Sequence, residues 1–261
     1  LKLCITGKGG VGKTTIAGTL ARQLSRRGLS VLAIDADPNY NLHSSLGIGE
    51  EELEDLVPLA EMEDLIRERT GSEPYSFGGV FKANPRVSDL PERLSVIGPD
   101  GVRFIMMGTV RAAGGGCACP ANVLLKNFLR KVLVDEMHVV VDMEAGIEHL
   151  GRGTAKHADM LLIVVEPSMS SLSTARRISR LANELGIPQA VVANKVPDER
   201  TGKFIAENLR EFEPIRIVPS DPSVADAQMR GKALIDTHPD SEAVAAIGSL
   251  AEGLEMMEAS N

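Results

Sequence analysis

The chain has no tryptophan, and its 261 residues include two tyrosines and six phenylalanines. Aromatic platforms on which single-stranded nucleic acid stacks are therefore not expected. An excess of positive charge is also missing. Lys and Arg number 28 against 36 Asp and Glu, a formal net charge of −8, which argues against a surface built for a phosphate backbone. Long apolar runs are absent: "MLLIVV" (160–165), among the longest, is strand-sized and far short of a membrane span. No basic segment followed by an apolar stretch precedes the first apolar run, so a secretory leader is not expected. Three cysteines, two of them in C-x-C, do not make a disulfide framework; a reducing cytoplasm is the expected compartment. There is no internal repeat and no second phosphate-binding loop, which excludes a tandem-duplicated ATPase. The length fits one α/β domain over 1–261.

What is present is a series of short apolar runs with helical stretches between them. "LKLCIT" (1–6), "SVLAID" (30–35), "VRFIMM" (102–107), "HVVVDM" (138–143), "LLIVVE" (161–166), "AVVANK" (190–195) and "IRIVP" (215–219) read as strands. Apolar residues at successive positions imply burial on both faces, as in a parallel sheet covered by helices. In 13–27, Ile16, Leu20 and Leu24 recur at helical spacing, and Gly28 supplies a stop. Helices are likewise predicted over 124–133 and 173–186. The fold class is thus α/β, a doubly wound, mostly parallel sheet with ligands at the carboxyl ends of its strands. Region 50–100 is the least regular, with an acidic start predicted helical. In it, "IGPDGVRF" (97–104) places turn chemistry between apolar runs and predicts a hairpin.

"GKGGVGKTT" (7–15) follows a predicted strand and opens a predicted helix. Gly7, Gly12, Lys13 and Thr14 satisfy the P-loop pattern. Lys13 then reaches the β/γ-phosphates of ATP or ADP, and the Thr14 hydroxyl ligates Mg²⁺. Gly9, Gly10, Val11 and Thr15 complete a loop whose backbone N–H groups and helix N-terminus face phosphate. Lys8 is one cation more than that loop needs. K-G-G-x-G-K-[ST] resembles the deviant Walker A motif of the MinD/ParA/nitrogenase-iron-protein class of P-loop ATPases. That resemblance implies that Lys8 crosses a homodimer interface to the partner's phosphates. A cation supplied in trans makes hydrolysis depend on dimerisation, as an arginine finger does.

Further motifs extend the resemblance. "DADPNYN" (35–41) is similar to the class's switch I, which implies that Asp37 positions or deprotonates the attacking water; Asp35 joins the Mg²⁺ water shell or braces the loop. Two aspartates after a strand also make an ordinary acidic turn. "HVVVDMEAG" (138–146) supplies a Walker B strand with Asp142 at its end, suited to Mg²⁺ through water. Gly146 matches the switch II glycine that senses the γ-phosphate, although the class usually has D-x-P-A-G where this chain has D-M-E-A-G. "ANK" (193–195) is similar to the adenine-reading segment, with Asn194 facing the base edge and Lys195 beside it. "VPSDP" (218–222), with Asp221, closes the other side. An Asn after a strand is equally an ordinary turn residue.

"GGGCACPA" (114–121) sets Cys117 and Cys119 one residue apart. Both thiols can face one metal ion when the intervening backbone is extended or turned, and the three preceding glycines make that geometry accessible. A helix beginning near Pro120 favours their thiolates. A lone C-x-C is also met as two plain thiols or a local disulfide. Two thiolates leave a tetrahedral site half filled; a symmetric dimer with both pairs on its axis would supply four. Cys4, among apolar neighbours, reads as a core thiol. The early K-G-G-V-G-K-T-T, "DMEAGIEH" (142–149) and "CAC" (117–119) together resemble the CooC family of nickel-insertion ATPases that mature carbon monoxide dehydrogenase. The resemblance runs from the P-loop to about residue 221. It implies nickel or zinc held between subunits by Cys117 and Cys119, a nucleotide- and metal-dependent homodimer, and carbon monoxide dehydrogenase as client.

Two other readings share the ATPase core. Iron–sulfur carriers of the Mrp type usually carry C-x-x-C near the C-terminus, which is not found here, and no Cys occurs between 120 and 261 to serve a nitrogenase-type cluster. A MinD- or ParA-like positioning protein predicts a basic C-terminal helix or a DNA-binding patch. Instead, 241–261 has four Glu and no Lys or Arg, the wrong sign for anionic lipid. Neither nucleic acid nor membrane is an expected partner.

Overall fold

A computed structural model of the chain describes residues 1–76, 80–110, 119–146, 154, 156–212 and 214–259. The strands are β1 (Lys2–Gly7), β2 (Val31–Ala36), β3 (Val96–Ile97), β4 (Arg103–Met106), β5 (His138–Met143), β6 (Met160–Val165), β7 (Gln189–Val196) and β8 (Arg216–Pro219). The helices among these residues are α1 (Lys13–Arg26), α2 (Leu42–Leu46), α3 (Glu63–Thr70), α4 (Leu90–Leu94) and α5 (Pro120–Val134). They continue as α6 (Met169–Leu185), α7 (Glu199–Asn208), α8 (Pro222–Met229), α9 (Leu234–Thr237) and α10 (Glu242–Ala259).

The strands form one sheet in the order β3-β4-β2-β5-β1-β6-β7-β8, parallel everywhere except β3, which runs antiparallel to β4. The expected doubly wound sheet is present, as is the hairpin, which pairs Val96 with Phe104 and Ile97 with Arg103. Its tip needs positive φ, and Asp100 (57°) and Gly101 (77°) supply it.

Strand side chains alternate between two cores, as the period of two requires. Leu3, Ile5, Ala33 and Val140 pack with Ile16, Leu20 and Leu24 of α1 and Ile247 and Leu250 of α10. Cys4, Leu32, Ile34, Val139 and Val141 pack on the other face with Leu124 and Phe128 of α5 and Leu172 and Ile178 of α6. Each fully enclosed leucine contributes about 1.5–3 kcal/mol. The helix stops fall where glycine permits left-handed backbone: α1 ends before Gly28 (φ 92°) and α6 at Gly186 (φ 69°).

The acidic start of 50–100 departs from expectation. It forms a 3₁₀ turn at Glu50–Leu53, and α-helix begins only at Glu63. Within that turn only Leu53 reaches the core, so a longer helix would have no apolar stripe to bury. Pro58 then interrupts the segment before the next turn at Leu59–Glu61.

One charge lies inside the α1 packing. The Arg22 side chain is 2% exposed and pairs in bidentate fashion with Asp236 of α9 (2.8 and 3.0 Å). It also donates to Asp100 at the hairpin tip and to the Leu46 carbonyl (2.7 Å) at the end of α2. These bonds satisfy the guanidinium that burial would otherwise penalise, and they fasten three segments to α1.

Candidate functional site: a nucleotide cleft at the centre of the sheet

From β1 the chain crosses to β2 on one side and later enters β6 on the other, so the loop leaving β1 lies at a topological switch point. Its glycines are required by contact as well as by φ. A Cβ on Gly7 (φ 151°) would lie 2.2 Å from the Val164 carbonyl oxygen, and one on Gly12 (φ 95°) would lie 2.3 Å from the Asn194 amide nitrogen. The loop opens α1 and lines a cavity of 780 Å³. Gly9, Gly10, Gly12, Lys13, Thr14 and Thr15 form one wall, Asp37 a second, and Asn194, Lys195 and Asp221 a third. The apolar back of the cavity comes from Val218, Pro219, Val224 and Ile247. Lys13 is buried, its ammonium 3.4 Å from the Lys8 carbonyl, curled over the loop where phosphate oxygens would replace that contact. Lys8 instead reaches along its own chain to the Ser170 hydroxyl at the start of α6 (3.0 Å).

The strand register sets two aspartates side by side. Asp35 on β2 pairs with Asp142 on β5, and both share the face that meets α1. Each is fully buried, and burial pushes both carboxyls up to about 7. Proximity to Asp35 raises Asp142 further, while Thr14 and Lys13 favour its charged form. Their hydrogen bonding differs. Asp35 accepts the Asp37 N–H on one oxygen (3.1 Å) and the Leu42 N–H on the other (2.9 Å), so it braces the turn between them. Among the described residues Asp142 accepts no backbone N–H, and only the Thr14 hydroxyl faces it, outside good hydrogen-bonding geometry. A carboxylate buried with so little to pair it is costly unless something completes it. Hydrated Mg²⁺ fits that requirement: a hard cation with oxygen ligands, whose bound waters donate to carboxylate.

Asp37 takes the Asn39 N–H (2.9 Å) and amide (2.8 Å) on one oxygen, an Asx turn. Gly146 (φ 141°) is held by Thr6: its N–H donates to the Thr6 hydroxyl (3.2 Å), which is also 2.9 Å from the Gly146 carbonyl. The amide of Asn194 donates to the Val11 carbonyl (2.8 Å), which ties β7 to the P-loop. Lys195 (φ 57°) donates to the Gly10 carbonyl (2.6 Å) and pairs with Glu166 (3.2 Å). Asp221 caps α8 through the Ser223 N–H (2.8 Å) and accepts the Ala243 N–H (3.1 Å). It is therefore occupied in joining two helices, and these bonds keep its carboxyl low.

Thr6, Glu166 and Ser170 were not legible as site residues. Glu166 carried one signal: it directly follows an apolar run, hence the carboxyl end of a parallel strand.

The cysteines separate. Cys4 is enclosed in the core, its thiol pushed up to about 12 by burial and the nearby Asp159. Cys119 precedes α5 and is 1% exposed, packed in the same apolar core. Cys117 lies outside the described residues. Among the described residues no three His, Cys, Asp or Glu side chains cluster to hold a metal ion, and no helix is long and apolar enough to cross a membrane.

A P-loop at the switch point, buried aspartates side by side at the ends of β5 and β2, and the cleft that the loop lines define a MinD/ParA-type ATPase. Residues 3–235 match the CobQ/CobB/MinD/ParA nucleotide binding domain, and the chain belongs to that family. It is 44% identical, over 92% of its length and 91% of the relative's, to the carbon monoxide dehydrogenase accessory protein CooC of Rhodospirillum rubrum. An uncharacterized ATP-binding protein of Methanocaldococcus jannaschii is also 44% identical, over 89% of this chain and 90% of its own. The septum site-determining protein MinD of Pyrococcus horikoshii, complexed with Mg-ADP, superposes with a TM-score of 0.69. That match covers 98% of this chain and 96% of the other at 18% identity, a likeness of fold.

Proposed function

We propose that the chain is an accessory ATPase for carbon monoxide dehydrogenase, which couples ATP-dependent dimerisation to delivery of nickel held by Cys117 and Cys119. The observation that carries this is the 44% identity with CooC across nearly the whole of both chains. The site supports the ATPase half. Mg²⁺, held by Thr14 and through water by Asp142, would supply charge neutralisation at the β- and γ-phosphates. Lys13 and the loop N–H groups hold those phosphates, and Asp37 accepts the proton of the attacking water. In a dimer, Lys8 leaves Ser170 and serves the partner's nucleotide, so each site is complete only when paired. The thiols act on the cargo. Cys119 must then turn out of its core position on dimerisation, which makes metal binding a property of the dimer.

Anaerobic titration with nickel(II), with and without nucleotide, tests the proposal. The expected stoichiometry is one metal per two chains, and replacing both Cys117 and Cys119 by Ser abolishes it. Affinity should fall as pH drops, because thiolates are the ligands. One metal per dimer bound by the double variant would overturn the assignment.

A further inference from the structure

The Asp37 turn of the nucleotide cleft and the segment that follows β4 are joined by a contact that no motif announces. Tyr40 ends the Asp37 turn, its N–H 3.4 Å from the Asp37 carbonyl, and it stands at φ 47°. A left-handed conformation is an outlier for a bulky side chain, and such strain persists only where surrounding contacts over-determine it. Here they do. The Tyr40 hydroxyl donates to Glu61 (2.8 Å), which closes the 3₁₀ turn Leu59–Glu61. Its ring lies over Gly108 so closely that a Cβ there would be 2.7 Å from the hydroxyl and 3.1 Å from the ring. Beneath it, the N–H groups of Met107 (2.9 Å) and Gly108 (3.0 Å) both donate to the Asp35 carbonyl, and the Ala60 N–H donates to the Met107 carbonyl (2.9 Å). Asp35 therefore braces the Asp37 turn with its side chain and the start of the next segment with its carbonyl. In sequence, Met107–Val110 precede Cys117 and Cys119.

We propose that Tyr40 is a positioning residue that couples the Asp37 turn to the Met107–Val110 segment. A change in the turn on exchanging ADP for ATP moves Tyr40 against Gly108 and Glu61, and so shifts the segment leading to the cysteines. The relevance of this coupling to metal rests on the accessory function proposed above; the coupling itself does not. Packed contacts with two discrete arrangements transmit such changes because a close-packed interior does not deform smoothly.

Amide hydrogen exchange at Met107 and Gly108 in the full chain, with Mg·ADP or a non-hydrolysable Mg·ATP analogue, reads the coupling without metal. Exchange in the wild type should differ at least ~5-fold between the two nucleotides. Tyr40→Phe, which loses the hydroxyl but keeps the ring, and Glu61→Gln should shrink that difference below ~2-fold. Nucleotide affinity serves as the check on folding. A wild type with no nucleotide-dependent difference, or variants that retain it in full, would overturn the proposal. A second arm uses nickel(II) alone as probe. The ratio of its affinities in the two nucleotide states should exceed one in the wild type and approach one in Tyr40→Phe. If exchange responds as expected but nickel binding ignores replacement of Cys117 and Cys119, the coupling stands and the metal assignment falls. If the cysteines hold nickel but exchange is indifferent to Tyr40, the metal assignment stands and the coupling falls.

Discussion

The carboxyl ends of β2 and β5 lie side by side, each closing on a buried aspartate raised to about 7, yet they are finished differently. The β2 end is completed by the chain itself: Asp35 accepts two backbone N–H groups, Asp37 closes an Asx turn, and Tyr40 is seated on Gly108. At the β5 end no described backbone N–H reaches either oxygen of Asp142, which the Thr14 hydroxyl alone faces. The first arrangement fixes a turn; the second suits a ligand that brings its own donors, such as the hydrated Mg²⁺ proposed above. Equal burial and equal register do not make two carboxylates equivalent. What decides their roles is whether the backbone within reach has N–H groups to spare.

Substituting at the two ends tests that contrast. Asp37→Asn, at the β2 end, should bind Mg·ATP normally yet hydrolyse it at least ~10²-fold more slowly, the loss expected for a proton acceptor. Mixing it with Lys8→Ala should restore activity above either parent, since one of the two sites in a mixed dimer carries neither lesion. Turnover near wild type in Asp37→Asn would remove the distinction between a catalytic turn and an open ligand site.

Asp142→Asn should act on the metal instead. The Mg²⁺ concentration needed for half-maximal hydrolysis should rise ~10–100-fold, as for loss of an outer-sphere partner, with the rate at saturating Mg²⁺ less affected than in Asp37→Asn. A variant with an unchanged Mg²⁺ requirement would show that the open carboxylate serves something else.

A further effect is on stability without nucleotide. Asp142 has a folded pKa of about 7, above its unfolded value near 3.8, so the native state holds the extra proton between those limits. Its contribution is fully present below pH 4 and is lost as pH rises through about 7. The stability of the wild type relative to Asp142→Asn should therefore fall between pH 4 and 7 and level above it. Chemical denaturation across that range measures it, and a difference that does not change with pH would contradict the shift.

Much of the molecule was legible in order along the chain. The seven long apolar runs fall on β1, β2 and β4 to β8 because continuous apolar sequence suits a strand buried on both faces. The hairpin at 96–106 and the ends of α1 and α6 were legible because turns and stops depend on Gly, Pro and Asp at single positions. The P-loop is stated almost in full by "GKGGVGKTT", since its chemistry is carried by backbone that only those glycines permit. Tertiary structure alone decided what depends on distant partners. Strand order put β5 between β1 and β2, and so set Asp142 beside Asp35. Packing bound Asn194 to Val11, Lys195 to Glu166 and Gly146 to Thr6, pairs separated by 29 to 183 positions. It enclosed Cys119 in the core and seated Tyr40 on Gly108. Local sequence encodes backbone propensity and periodicity. Which side chains meet at a site is decided by the order in which buried strands pack, a property of the whole chain.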